Sequence, residues 1–146
     1  MPGYLAIILH AHLPFVRHPE YEKFLEESWL FEAITETYLP LLQIMSGWHR
    51  DGMEPRLTLT LSPTLCVMLR DPLLKERYAR HLDRLLELAE KELHRTHWEP
   101  AFQELATMYH QRLTAARDNY LANGGDVVGA FRRFQDLGKL EIITTA

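Results

Sequence analysis

Tyr4-Leu5-Ala6-Ile7-Ile8-Leu9 is a short continuous apolar run. Apolar residues on both alternating faces predict a strand buried on both sides of a sheet. Pro14 and Pro19 then interrupt regular structure, and residues 10–27 read as a long polar loop carrying aromatic rings. A structureless stretch of that length is a functional loop or a disordered one. From Trp29 to Trp48 the pattern turns helical. Leu30, Ile34, Tyr38, Leu41, Met45 and Trp48 recur on one face, with Ser28 placed as an N-cap. Pro40 should kink this helix, and Asp51-Gly52 ends it.

Leu57-Thr58-Leu59-Thr60-Leu61 alternates apolar with threonine and predicts a second strand, stopped by Ser62-Pro63. Thr64 to Leu69 is a short helix. Asp71-Pro72 is a cap followed by proline at the first helical position. The helix after it carries Leu74, Tyr78, Leu82, Leu85, Ala89 and Leu93 on one stripe, with Glu76–Arg80 and Glu87–Lys91 pairs at four-residue spacing. After Pro100, an inward face of Phe102, Leu105, Tyr109, Leu113, Ala116 and Tyr120 is expected, closed by Asn123-Gly124-Gly125. Asp126 caps a helix with Val127, Phe131 and Phe134, and Gly138 suits its C-terminus. Leu140-Glu141-Ile142-Ile143-Thr144-Thr145 reads as a third strand. Strands alternating with helices predict an α/β fold of about three parallel strands with several helices. A chain that closes on a strand is expected to be the N-terminal portion of a longer β/α barrel, with residues 1–146 a fragment of a single domain.

Composition narrows the function classes. Of 146 residues, 47% are hydrophobic, enough for a core and against a disordered tail. Twenty acidic against sixteen basic residues give a net charge of −4, so no nucleic-acid partner is expected. No segment reaches the roughly 18 apolar residues that span a bilayer, and no membrane partner is expected. Leu5 to Leu9 is too short for a signal peptide and has no basic residue ahead of it. Cys66 is the only cysteine, which excludes an intramolecular disulfide and fits a reducing compartment. A cytoplasmic chain is the expectation.

The candidate chemistry sits at the first strand. His10-Ala11-His12 follows its apolar run, and residues two apart in an extended backbone point to the same side. Two imidazoles at the C-terminal end of a parallel strand stand where β/α folds gather their sites. They can bond substrate, move protons or bind metal. A zinc site needs three or four ligands, and no further ligand spacing is present. Phe15, Tyr21, Phe24 and Trp29 suit stacking on the C–H faces of sugars, and equally suit hydrophobic anchoring of the loop. Glu26, Glu27, Glu32 and Glu36 bracket the first helix; Glu32 and Glu36 share a helical face expected in solvent. Cys66 reads as packing. No Gly-x-Ser-x-Gly, phosphate-binding loop or Gly-x-Gly-x-x-Gly occurs.

His10-Ala11-His12-Leu13-Pro14-Phe15-Val16-Arg17 resembles the first conserved block of glycoside hydrolase family fifty-seven. The run from Trp29 to Leu42, with Leu59-Thr60-Leu61-Ser62-Pro63-Thr64-Leu65 and Glu141 to Ala146, is similar to the branching-enzyme branch of that family, in the same order. The resemblance implies an incomplete seven-stranded β/α barrel and 1,4-α-glucan branching chemistry. An α-1,4 linkage is cut with retention, held on a glutamate nucleophile beside an aspartate acid/base, and passed to a 6-hydroxyl. It implies no cofactor and no metal. His10 and His12 match its sugar-site histidine pair, Trp29 an aromatic position of the groove, and Ser62 a further substrate position at the end of the second strand. The partner implied is an α-1,4-glucan of the glycogen or amylose type. The family's catalytic carboxylates lie on later strands, so the isolated chain is expected to be inactive. Open sheet edges predict self-association. Two alternatives remain at this point. One is a metal-dependent amidohydrolase-type barrel with His10 and His12 as ligands; the other is a non-catalytic glucan-binding product.

Overall fold

In the computed structural model, residues 3 and 5–144 are described. Three parallel strands, β1 (Ile8–Ala11), β2 (Leu57–Leu61) and β3 (Leu140–Ile143), form one sheet in the order β1-β2-β3. Six α-helices connect them: α1 (Glu27–Ala33), α2 (Leu39–Arg50), α3 (Pro63–Arg70), α4 (Pro72–Arg95), α5 (Pro100–Ala122) and α6 (Val127–Asp136). The expected α/β class and parallel pairing hold. Tyr4 of the first run and Thr145 of the third lie outside the described residues.

The register sorts the sheet into two faces. Ile8 pairs with Thr58, His10 with Thr60, Thr58 with Glu141, and Thr60 with Ile143. Side chains alternate along a strand, so these six residues share one face. The other face carries Leu57, Leu59, Leu61 and Leu140, all buried in the core beneath the helices. The leucine–threonine alternation of β2 thus supplies one apolar face and one hydroxyl face. β1 corrects the expectation of a strand buried on both sides. It is an edge strand, and Ile8 is 64% exposed.

The first long helix also departs from its predicted pattern. It starts at Glu27, so Ser28 lies inside it and is not the cap. Between α1 and α2, Ile34–Tyr38 winds as a π-helix, with the Leu39 N–H donating to the Ile34 carbonyl. Pro40, which has no N–H to donate, follows at once. A π turn holds one residue more than an α turn. The buried positions are Ile34, Thr35 and Tyr38 within it and Leu39, Leu42 and Met45 after it. Leu41 and Trp48 are left half-buried.

Caps follow the sequence more closely. Asp71 accepts from the Leu74 N–H at 3.0 Å, and Asp126 from the Gly129 N–H at 2.8 Å. Gly138 (φ 69°) closes α6 in the left-handed conformation that glycine adopts without strain. α5 differs: Ala106, Leu113, Ala116 and Tyr120 are buried, while Phe102, Leu105 and Tyr109 are exposed.

Three buried tyrosines give the core a pH response. Burial raises the phenols of Tyr38, Tyr78 and Tyr120, that of Tyr38 to about 12. The fold thus favours the neutral form. Its contribution is complete below the ordinary value near 10 and is lost as pH climbs from there toward 12. Alkaline titration followed together by phenolate absorbance and near-UV circular dichroism should show these tyrosines ionising only as tertiary signal disappears. Ionisation near pH 10 with full tertiary signal retained would contradict their burial.

Candidate functional site

The candidate site is built on the uncovered face of the sheet. His10 lies in β1 and His12 one residue past its end, both exposed. Their ring centroids are 6.1 Å apart with planes 30° from parallel. His10 Nδ1 is 2.6 Å from the Thr60 hydroxyl, its register partner on β2. That bond orients the imidazole and leaves Nε2 as its remaining polar atom for a ligand. Thr58 donates to Glu141 at 3.0 Å on the same face. The result is a short polar row of two imidazoles, two hydroxyls and a carboxylate. It can donate and accept hydrogen bonds to a polyhydroxylated ligand. Among the described residues, no group of three or more His, Cys, Asp or Glu side chains is arranged to hold a metal ion.

The loop between β1 and α1 is ordered by contacts to distant residues. Val16 is buried, and its N–H points at Met68 Sδ at 3.3 Å. Arg17 Nε donates to Asp71 Oδ2 at 2.6 Å. Arg77 of α4 donates to the His18 carbonyl at 3.2 Å, to the Tyr21 carbonyl and to the Glu27 carboxylate. His18, Tyr21 and Phe24 cluster, with Tyr21 and Phe24 centroids 5.4 Å apart. His18 Nδ1 lies 3.0 Å from Glu20 and holds that carboxyl below its usual range. Phe15 and Tyr21 present exposed rings.

The four sequence-predicted residues are placed differently. His10 and His12 come together. Trp29 stands on the first turns of α1 and is 47% exposed, with no ring contact to either histidine. Ser62 is 2% exposed, and its hydroxyl accepts from the Leu65 N–H as the N-cap of α3. Replacing Ser62 with alanine should cost about 1 kcal/mol, the usual loss of a serine cap, read from the urea midpoint. An unchanged midpoint would show that the cap carries no stability. Sequence reasoning missed Thr60 and Arg77. Register with His10 required the threonine face of β2, and Arg77 meets partners 50 or more residues upstream, with no local signal. A depression of about 600 Å³ lies elsewhere, between Phe24, Phe31, Arg77, His81 and Arg84. Burial and the neighbouring Arg84 both lower the His81 imidazole below its ordinary value.

The family model for glycosyl hydrolase family 57 matches residues 6–146. The chain belongs to glycosyl hydrolase family 57. It is 33% identical over all 146 residues to a 1,4-alpha-glucan branching enzyme of Thermococcus kodakarensis, spanning 21% of that protein. Among solved structures, the alpha-amylase AmyC of Thermotoga maritima is 45% identical with a TM-score of 0.91. That match covers 99% of this chain and 27% of AmyC. The GH57-type branching enzyme of Pyrococcus horikoshii is 32% identical with a TM-score of 0.92, covering 100% and 27%. The chain thus spans about a fifth to a quarter of the relatives it matches. Family membership leaves the amidohydrolase reading of His10 and His12 without support. Ala146, at the close of the resembling segment, lies outside the described residues.

Proposed function

We propose that this chain is the N-terminal part of a single β/α-barrel catalytic domain acting in 1,4-α-glucan branching. Within it we assign substrate-binding roles only. His10 and His12 bond sugar hydroxyls, and Trp29 offers a ring to a sugar face. Ser62 is kept as a substrate position of lower rank, since its hydroxyl already caps α3. The observation that carries the reading is the paired histidine face at the C-terminal end of β1. It belongs to a chain that matches a branching enzyme along its whole length. The ligand is an α-1,4-glucan, and the setting is glycogen-type metabolism in the cytoplasm. Among the described residues, no helix is long and apolar enough to cross a membrane. The edges of β1 and β3 are the surfaces through which copies of the chain would associate, with Ile7, Ile8 and Ile143 exposed there.

A second reading, hydrolysis of α-glucan, is favoured by one observation, the 45% identity to an alpha-amylase. The two separate on one assay. The native-length protein is incubated with amylose, and α-1,6 linkages are counted by proton NMR. Branches should form, and His10→Ala should lower the rate roughly a hundredfold, the usual cost of losing one transition-state hydrogen-bond donor. Short linear products without branches would replace branching by hydrolysis. Neither product, with the intact mass confirmed, would end both readings.

A further inference from the structure

Arg77 serves three points of one loop from outside it. Its side chain is 8% exposed and lies in the second turn of α4. The guanidinium donates to two loop carbonyls, His18 and Tyr21, and to Glu27 in the first turn of α1. A planar fork with donors in fixed directions can hold three acceptors in one geometry; an ammonium of similar reach cannot. A buried ion pair adds little stability over a well-packed apolar pair, so a charge kept here is better explained by the geometry it imposes. The first turn of α4 adds a second tie, because Asp71 accepts from Arg17 with one oxygen and caps α4 with the other.

We propose that Arg77 is a positioning residue that holds the β1–α1 loop and the start of α1 in their sugar-binding arrangement. The proposal rests on the α-glucan reading above. Tyr21 carries its ring on a residue whose carbonyl Arg77 binds, and Trp29 stands two residues beyond Glu27. The rings stay exposed while the backbone beneath them is fixed. A stacking surface ordered before the ligand arrives avoids that ordering cost on binding. Arg77 therefore acts on affinity and leaves the bond-breaking step alone.

The test uses the native-length protein with Arg77→Met/Glu27→Gln, which removes both charges together, and with Arg77→Lys. Amide hydrogen exchange is followed across residues 18–26, and KM and kcat are measured on maltooligosaccharides. In the double variant, loop amides should exchange roughly tenfold faster while those of α6 are unchanged. KM should rise roughly tenfold with kcat within about twofold, as expected when ground-state and transition-state binding fall together. Arg77→Lys keeps the charge on Glu27 and should retain stability, yet show the same raised KM and fast loop exchange. Unchanged loop exchange overturns the clamp. A loosened loop with unchanged KM overturns its positioning role. A wild-type protein that neither binds nor turns over maltooligosaccharide overturns the α-glucan reading, and the exchange data still decide whether Arg77 holds the loop.

Discussion

Arg77→Met alone should lower stability by roughly 3–5 kcal/mol, because it leaves the Glu27 carboxylate buried without its cation. The Arg77 and Glu27 side chains are 8% and 3% exposed, so water cannot take the missing partner's place. Two loop carbonyls lose their donor in the same step. Urea unfolding followed by circular dichroism should show a large fall in midpoint with little change in slope. Adding Glu27→Gln should recover more than half of the loss, since the orphaned charge is its main source. A single variant within about 1 kcal/mol of wild type would mean the pair is solvated and of the ordinary surface kind.

Phe131→Ala should cost a similar amount, roughly 3–5 kcal/mol, for a different reason. Phe131 is fully buried on α6, edge-on to Tyr38 with centroids 6.4 Å apart. α6 packs against β3, α2 and α3, so this ring helps fix the third strand to the helices. Truncation removes the apolar area and opens a cavity that regular helices on several sides cannot close. The same measurement applies, and restoring bulk with Phe131→Leu should return most of the loss. A cost below about 1 kcal/mol would mean that the surrounding helices collapse to fill the space.

Much of this molecule was legible along the sequence, and the exceptions share a cause. His10-Ala11-His12 at the end of an apolar run was enough to place the histidine pair. The cap of α4 could be read because Asp71, Pro72 and Leu74 interact within one turn. Phe102, Leu105 and Tyr109 were misplaced because periodicity shows which residues share a face, and says nothing about whether a neighbour covers it. The first strand failed likewise: Ile7 and Ile8 are apolar enough for a core, but sheet order puts them at an edge. Thr60 and Arg77 needed partners about 50 or more residues away, which no local window contains. Glu27 reads along the sequence only as one of the four glutamates that bracket the first helix. It proves to be the buried counterion of α4.

The π-helical stretch Ile34–Tyr38 carries one residue that an α-helix of the same rise would not need. Loss of a single codon there would let the helix close into α geometry. Leu39, Leu42 and Met45 would keep their places against the core, because the residue lost is the one the wide turn accommodates. This helix is thus a part of the chain where loss of a residue can be absorbed by tightening one turn, whereas the same event in β2 would exchange its leucine and threonine faces.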